Sequence, residues 1–136
     1  MNTNYPDFVV CFTMAHEMSH ARGIAPENEC NFLAFAILWS SGDPYLRYAA
    51  CLYVIENFGS ACKSIDAERW SALSKTVDPQ IRRDLAAYRT FMEPYRDNVA
   101  SRAANAANNV YLRSNGQKNG TVSYSDVVRL CTAYLA

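Results

Sequence analysis

Aspartate directly followed by proline occurs twice in this chain, at Asp43-Pro44 and at Asp78-Pro79. Each pair predicts a helix start. The carboxylate caps the exposed backbone N–H groups, and proline fits the first helical position, where its missing N–H costs nothing. Downstream of the first pair, Tyr45, Tyr48, Ala49, Leu52 and Ile55 recur at helical spacing to a stop near Gly59. The second pair opens a helix to about Met92, where Pro94 interrupts the chain. Upstream, residues 7–22 read as a helix stopped by Gly23, and Pro26 opens another that breaks at Ser40-Ser41-Gly42. A shorter helix over 64–75, an Ala/Asn-rich helix over 95–112, a polar loop at 114–120 and a last helix capped by Ser123 complete the pattern. Nothing beyond the short TVSY stretch alternates like a strand. The expectation is an all-α, compact bundle of about seven helices forming one domain.

The second helix-bound feature is chemical. His16-Glu17-Met18-Ser19-His20 is an H-E-x-x-H run, and it contains both histidines of the 136-residue chain. Residues four apart lie on one helix face. Two imidazoles so placed suit one Zn²⁺, with Glu17 beside them to take a proton from a metal-bound water. A catalytic zinc needs a third protein ligand. With no histidine left, that ligand is a carboxylate or a cysteine. Glu27 and Glu29 both open the next helix, and Cys30 follows them. Glu27 is favoured because Asn31 lies one turn after it, a spacing that resembles gluzincin peptidases, in which the second residue orients a zinc histidine.

Composition narrows the function classes. Thirteen Lys+Arg balance thirteen Asp+Glu, which argues against a nucleic-acid partner. No apolar run approaches the roughly 20 residues of a spanning helix. The first ten residues lack a secretory signal. The five scattered cysteines, with no C-x-x-C, read as reduced intracellular thiols, making the fragment soluble and cytoplasmic by default.

The runs FTMAHEMSHARGIAPENECNFLAFAILWSSGDPYLRYAACLYVI and NNVYLRSNGQKNGTVSYSDVVRL add a resemblance. Both are similar to the signature blocks of a bacterial family of zinc-metallopeptidase-like membrane proteins, catalogued only as a domain of unknown function. The E-x-x-x-N spacing likewise resembles gluzincin peptidases. The H-E-x-x-H-x-x-G run resembles metzincins, but Pro26 stands where those carry a third histidine. The resemblance implies Zn²⁺ held by His16, His20 and Glu27, Glu17 as general base, and Asn31 supporting a ligand histidine. Tyr48 and Tyr111 are weaker candidates for transition-state donors, with Arg47 beside them. The implied function is hydrolysis of a peptide or protein substrate. Family members carry transmembrane helices ahead of this motif, so the chain is expected to be the C-terminal portion of a membrane-anchored bacterial parent. The alternative expectation is a non-catalytic helical interaction module with a structural or vestigial zinc site.

Overall fold

The computed structural model describes residues 5–95 and 124–136. Six α-helices are found there: α1 (Asp7–Ala21), α2 (Glu27–Trp39), α3 (Pro44–Ile65), α4 (Ala67–Ser74), α5 (Pro79–Met92) and α6 (Tyr124–Leu135). A 3₁₀ turn, Glu93–Tyr95, carries Pro94 directly after α5. The described residues contain no strand, so the all-α expectation holds. The expected helix over 95–112, the loop at 114–120 and the cap at Ser123 lie outside the described residues.

Both Asp-Pro starts form as local chemistry dictates. The Asp43 carboxylate accepts from the N–H groups of Tyr45 (2.7 Å) and Leu46 (3.2 Å), and Asp78 accepts from Gln80 N–H (2.7 Å). Asp66 does the same for α4, accepting from Arg69 N–H at 2.8 Å. The short helix therefore begins at Ala67 rather than at Ser64.

One expected boundary is wrong. α3 does not stop near Gly59 but continues to Ile65. Gly59 is buried inside the helix because Trp70 of α4 lies flat against it. A Cβ there would stand 2.6 Å from Trp70 Cζ2. The glycine serves a helix–helix approach, not a helix end.

Helices α1, α2 and α3 pack against one another, and α6 covers α2 and α3. Alanines at the contacts (Ala15, Ala34, Ala49 and Ala50) bring the axes close, and Phe12, Phe35 and Leu38 fill the space between. Val127 and Cys131 close the core from α6. Tyr134 of α6 meets Phe32 and Phe35 edge-on, and its hydroxyl lies 2.8 Å from Ser40 Oγ. Helix α5 joins the other side of α3. Leu85 is buried, Tyr48 donates to Asp84 at 2.5 Å, and Arg89 grips Glu56 through Nε at 3.0 and 3.1 Å and through Nη2.

All five cysteines are free thiols; Cys30 and Cys131 are buried and the other three half-buried. Burial pushes the Cys131 thiol up to about 11. No described helix is long and apolar enough to cross a membrane.

Candidate metal centre

The site is built on the end of α1 and the start of α2. Helix α1 ends in a Schellman turn. Gly23, at φ +92°, donates its N–H to the His20 carbonyl (2.9 Å), and Ile24 N–H reaches back to the Ser19 carbonyl (3.3 Å). Glycine takes this backbone conformation without the Cβ penalty of other residues. The turn aims the Ile24 carbonyl at the helix it has just left, where it accepts from His20 Nδ1 at 2.9 Å. Pro26 then launches α2, placing Glu27 in its first turn and Asn31 one turn later. Asn31 Oδ1 accepts from His16 Nδ1 at 3.0 Å.

Those two contacts set the tautomer of each neutral ring. Each Nδ1 hydrogen is committed to an oxygen that only accepts. In the neutral imidazoles each Nε2 is therefore an unprotonated lone pair. The two Nε2 atoms stand 3.1 Å apart, and the Glu27 carboxylate oxygens lie 3.3 Å from His16 Nε2 and 3.5 Å from His20 Nε2. Three acceptors thus converge with no hydrogen to bind them together. A proton shared among them, or a cation at their centre, reconciles the arrangement. Tetrahedral Zn²⁺ with N and O ligands at about 2.0–2.2 Å spaces its ligand atoms by about 3.3–3.5 Å. The two oxygen–nitrogen separations, made by different Glu27 oxygens, fall in that range and the two Nε2 atoms stand slightly closer, so the donor set fits the ion with a small opening of the group. Among the described residues, His16, His20 and Glu27 form the one His/Cys/Asp/Glu group whose ligand atoms come this close, within 4.8 Å of one another.

Burial grades across the group. The His16 side chain is 14% exposed, His20 28% and Glu27 35%, so the open side of the group is toward Glu27. Glu29 is exposed and outside the group. Cys30 lies with its Sγ 3.3 Å from His20 Nδ1 and 3.3 Å from the Ile24 carbonyl oxygen, on the side of the ring away from the ligand nitrogen. Burial, and then the nearby carboxylates of Glu27, Glu29 and Glu17, push its thiol up. That is the opposite of what a thiolate ligand requires.

Glu17 is exposed and shares with His16 and Asn31 the wall of a cleft of about 500 Å³ between α1, α3 and α5. The suggested donors are placed differently. Tyr48 is not on the cleft wall. Its hydroxyl is held by Asp84, and burial followed by this bond pushes its pKa up to about 12. Arg47 lies over the Trp39 ring at 5.2 Å. Tyr111 is outside the described residues. The tyrosines that do line the cleft are Tyr53 and Tyr88, which sequence reasoning passed over. A signal was present. Ala49, Tyr53, Glu56 and Ser60 recur at helical spacing along α3 and insert polar groups into an otherwise apolar stripe.

Fold and site together define an all-helical protein with a His₂–Glu group held between consecutive helices. The chain belongs to the family described as protein of unknown function (DUF3810), whose model matches residues 1–132. No curated protein and no solved structure matches it.

Proposed function

We propose that this chain is the metal-binding portion of a zinc-dependent metallopeptidase of gluzincin type. The observation that carries the reading is the convergence of three acceptor atoms whose histidine hydrogens are both committed elsewhere. His16 Nε2, His20 Nε2 and a Glu27 oxygen hold the ion. Asn31 and the Ile24 carbonyl fix the two tautomers and ring orientations. Zn²⁺, when bound, supplies Lewis acidity to a substrate carbonyl and lowers the pKa of a coordinated water toward about 7. Glu17 would be the proton carrier of the site: its carboxylate would take the proton of the attacking water as the C–O bond forms and return it to the leaving amine nitrogen as the C–N bond breaks. The exposure of Glu17 on the cleft wall beside His16 suits this shuttle. The resemblance extends the reading to a parent chain anchored in a bacterial membrane.

A structural zinc site is closed by four protein ligands. Among the described residues no fourth His, Cys, Asp or Glu joins the group, and Cys30 sits against Nδ1 of His20 rather than beside the two Nε2 atoms. That favours the catalytic reading over an interaction module.

The test has two parts. Mass-spectrometric metal content should be near one zinc per chain, and near zero in a His16→Ala, His20→Ala double variant. A mixed peptide library should be cut in a zinc-dependent way, and Glu17→Gln should keep the metal while losing about 10²–10⁴-fold in rate. A chain that binds no zinc, or cleavage that is unchanged in Glu17→Gln, would sink the proposal.

A further inference from the structure

We infer that the cleft beside Glu17 is the specificity pocket of this site, and that it takes a large apolar or aromatic side chain of the peptide substrate. The inference rests on the metallopeptidase reading and adds the substrate class to it. At about 500 Å³ the cleft is within the range of pockets that enclose small ligands, roughly 300–1,000 Å³. It is continuous with the proposed chemistry, since His16, Glu17 and Asn31 form part of its wall. Away from them the rings of Phe8, Phe12, Tyr53 and Tyr88 and the side chain of Leu85 form one part of the wall, and Thr13, Glu56, Asn57 and Ser60 give it a polar part.

These aromatic walls are braced. Phe12 and Tyr53 stack at 3.7 Å between centroids with planes 12° apart, and Phe8 meets Tyr88 edge-on at 6.1 Å. A pocket already formed costs its occupant little in ordering. Charge disfavours the ionised side-chain classes. The charged groups lining the cleft are His16 (if protonated), Glu17 and Glu56. Two carboxylates repel an acidic side chain. A basic one finds Glu56 already gripped by the Arg89 guanidinium through two nitrogens, and the remaining carboxylate, Glu17, is exposed, where solvent screens an ion pair. An apolar ring displaces water from the aromatic wall and leaves no buried charge unpaired.

The test is binding to the full chain with the matched pair N-acetyl-phenylalanine hydroxamate and N-acetyl-alanine hydroxamate, measured by calorimetry on zinc-loaded protein. The corresponding methylamides, which cannot chelate, are followed by ligand-observed NMR. The phenylalanine compound should bind about tenfold or more tightly than the alanine compound. Thr13→Trp should erase that preference. Thr13 is exposed, lines the cleft and lies one turn before Glu17, so the bulky ring blocks the pocket while zinc content and melting temperature hold. Ser60→Trp, also exposed on the wall, should act alike from the α3 side. Equal binding of the two hydroxamates to zinc-loaded protein overturns the pocket and leaves the metal site standing. If the chain takes up no zinc, the metallopeptidase reading fails and the methylamides decide the pocket separately. Saturable phenylalanine methylamide binding blocked by Thr13→Trp keeps it, and its absence overturns it.

Discussion

His16 Nδ1 and Asn31 Oδ1 lie 3.0 Å apart, joining the middle of α1 to the first turns of α2. This contact holds the ring of the most buried member of the metal group with its Nε2 turned toward His20 and Glu27. Replacing Asn31 by alanine removes the oxygen and leaves the three proposed ligands intact. Zinc affinity should fall about 10–100-fold. A chelator competition titration reads this directly. The metal-free melting temperature should change little, because Asn31 is half-buried at the site rather than part of the core.

Gly23→Ala should act on stability and on metal together. Nothing lies within 4 Å of a Cβ there, so the cost comes from the backbone at φ +92° alone. That cost is about 1–2 kcal/mol, visible in urea unfolding. Relaxing the turn also moves the Ile24 carbonyl off His20 Nδ1, so zinc affinity should drop as well. An alanine variant with unchanged affinity would mean that the carbonyl does not orient the ring.

Gly59→Ala inverts the usual sign for a helix interior, where alanine gains up to about 1 kcal/mol over glycine. The new methyl meets the Trp70 ring at 2.6 Å and must displace it from α3. A net loss of about 1–3 kcal/mol is expected. Trp70 emission should shift to the red as the ring is pushed toward solvent; a Trp39→Phe background isolates its signal.

Tyr48 gives an alkaline signature. Its phenol is raised from 10.0 to about 12, by burial and by the bond to Asp84. A group whose folded pKa is raised contributes stability that is complete below the unfolded value and lost as pH climbs through the folded one. The chain should therefore lose stability between about pH 10 and pH 12. Tyr48→Phe should flatten part of that slope and cost about 1 kcal/mol at neutral pH. Parallel denaturant titrations of the two proteins give the difference, cancelling the tyrosines and lysines they share.

What was legible in the sequence is what local chemistry controls. Asp43, Asp78 and their prolines mark helix starts because a cap and its N–H groups lie within three residues of each other. His16, Glu17 and His20 needed only the helical period, and Glu27 with Asn31 only the next helix start. Gly59 was misread because its reason, Trp70, belongs to another helix. Tyr48 was offered as a donor for the site, but its hydroxyl is claimed by Asp84, thirty-six residues on. The cleft needs α1, α3 and α5 side by side, an arrangement that no single window of sequence contains.

The two halves of the packing around α2 differ in how far along the chain they reach. His16, His20 and Glu27 come from adjoining helices separated by one tight turn, so bringing them together closes only a short loop. Tyr134, which seals the opposite flank of α2 through Phe32, Phe35 and Ser40, must return across some hundred residues. The His16–His20–Glu27 group thus closes over a far shorter stretch of chain than the contacts of Tyr134 do. Whatever occupies that group ties α1 to α2 independently of α6, so losing the last helix and losing the group's occupant loosen opposite flanks of the same helix.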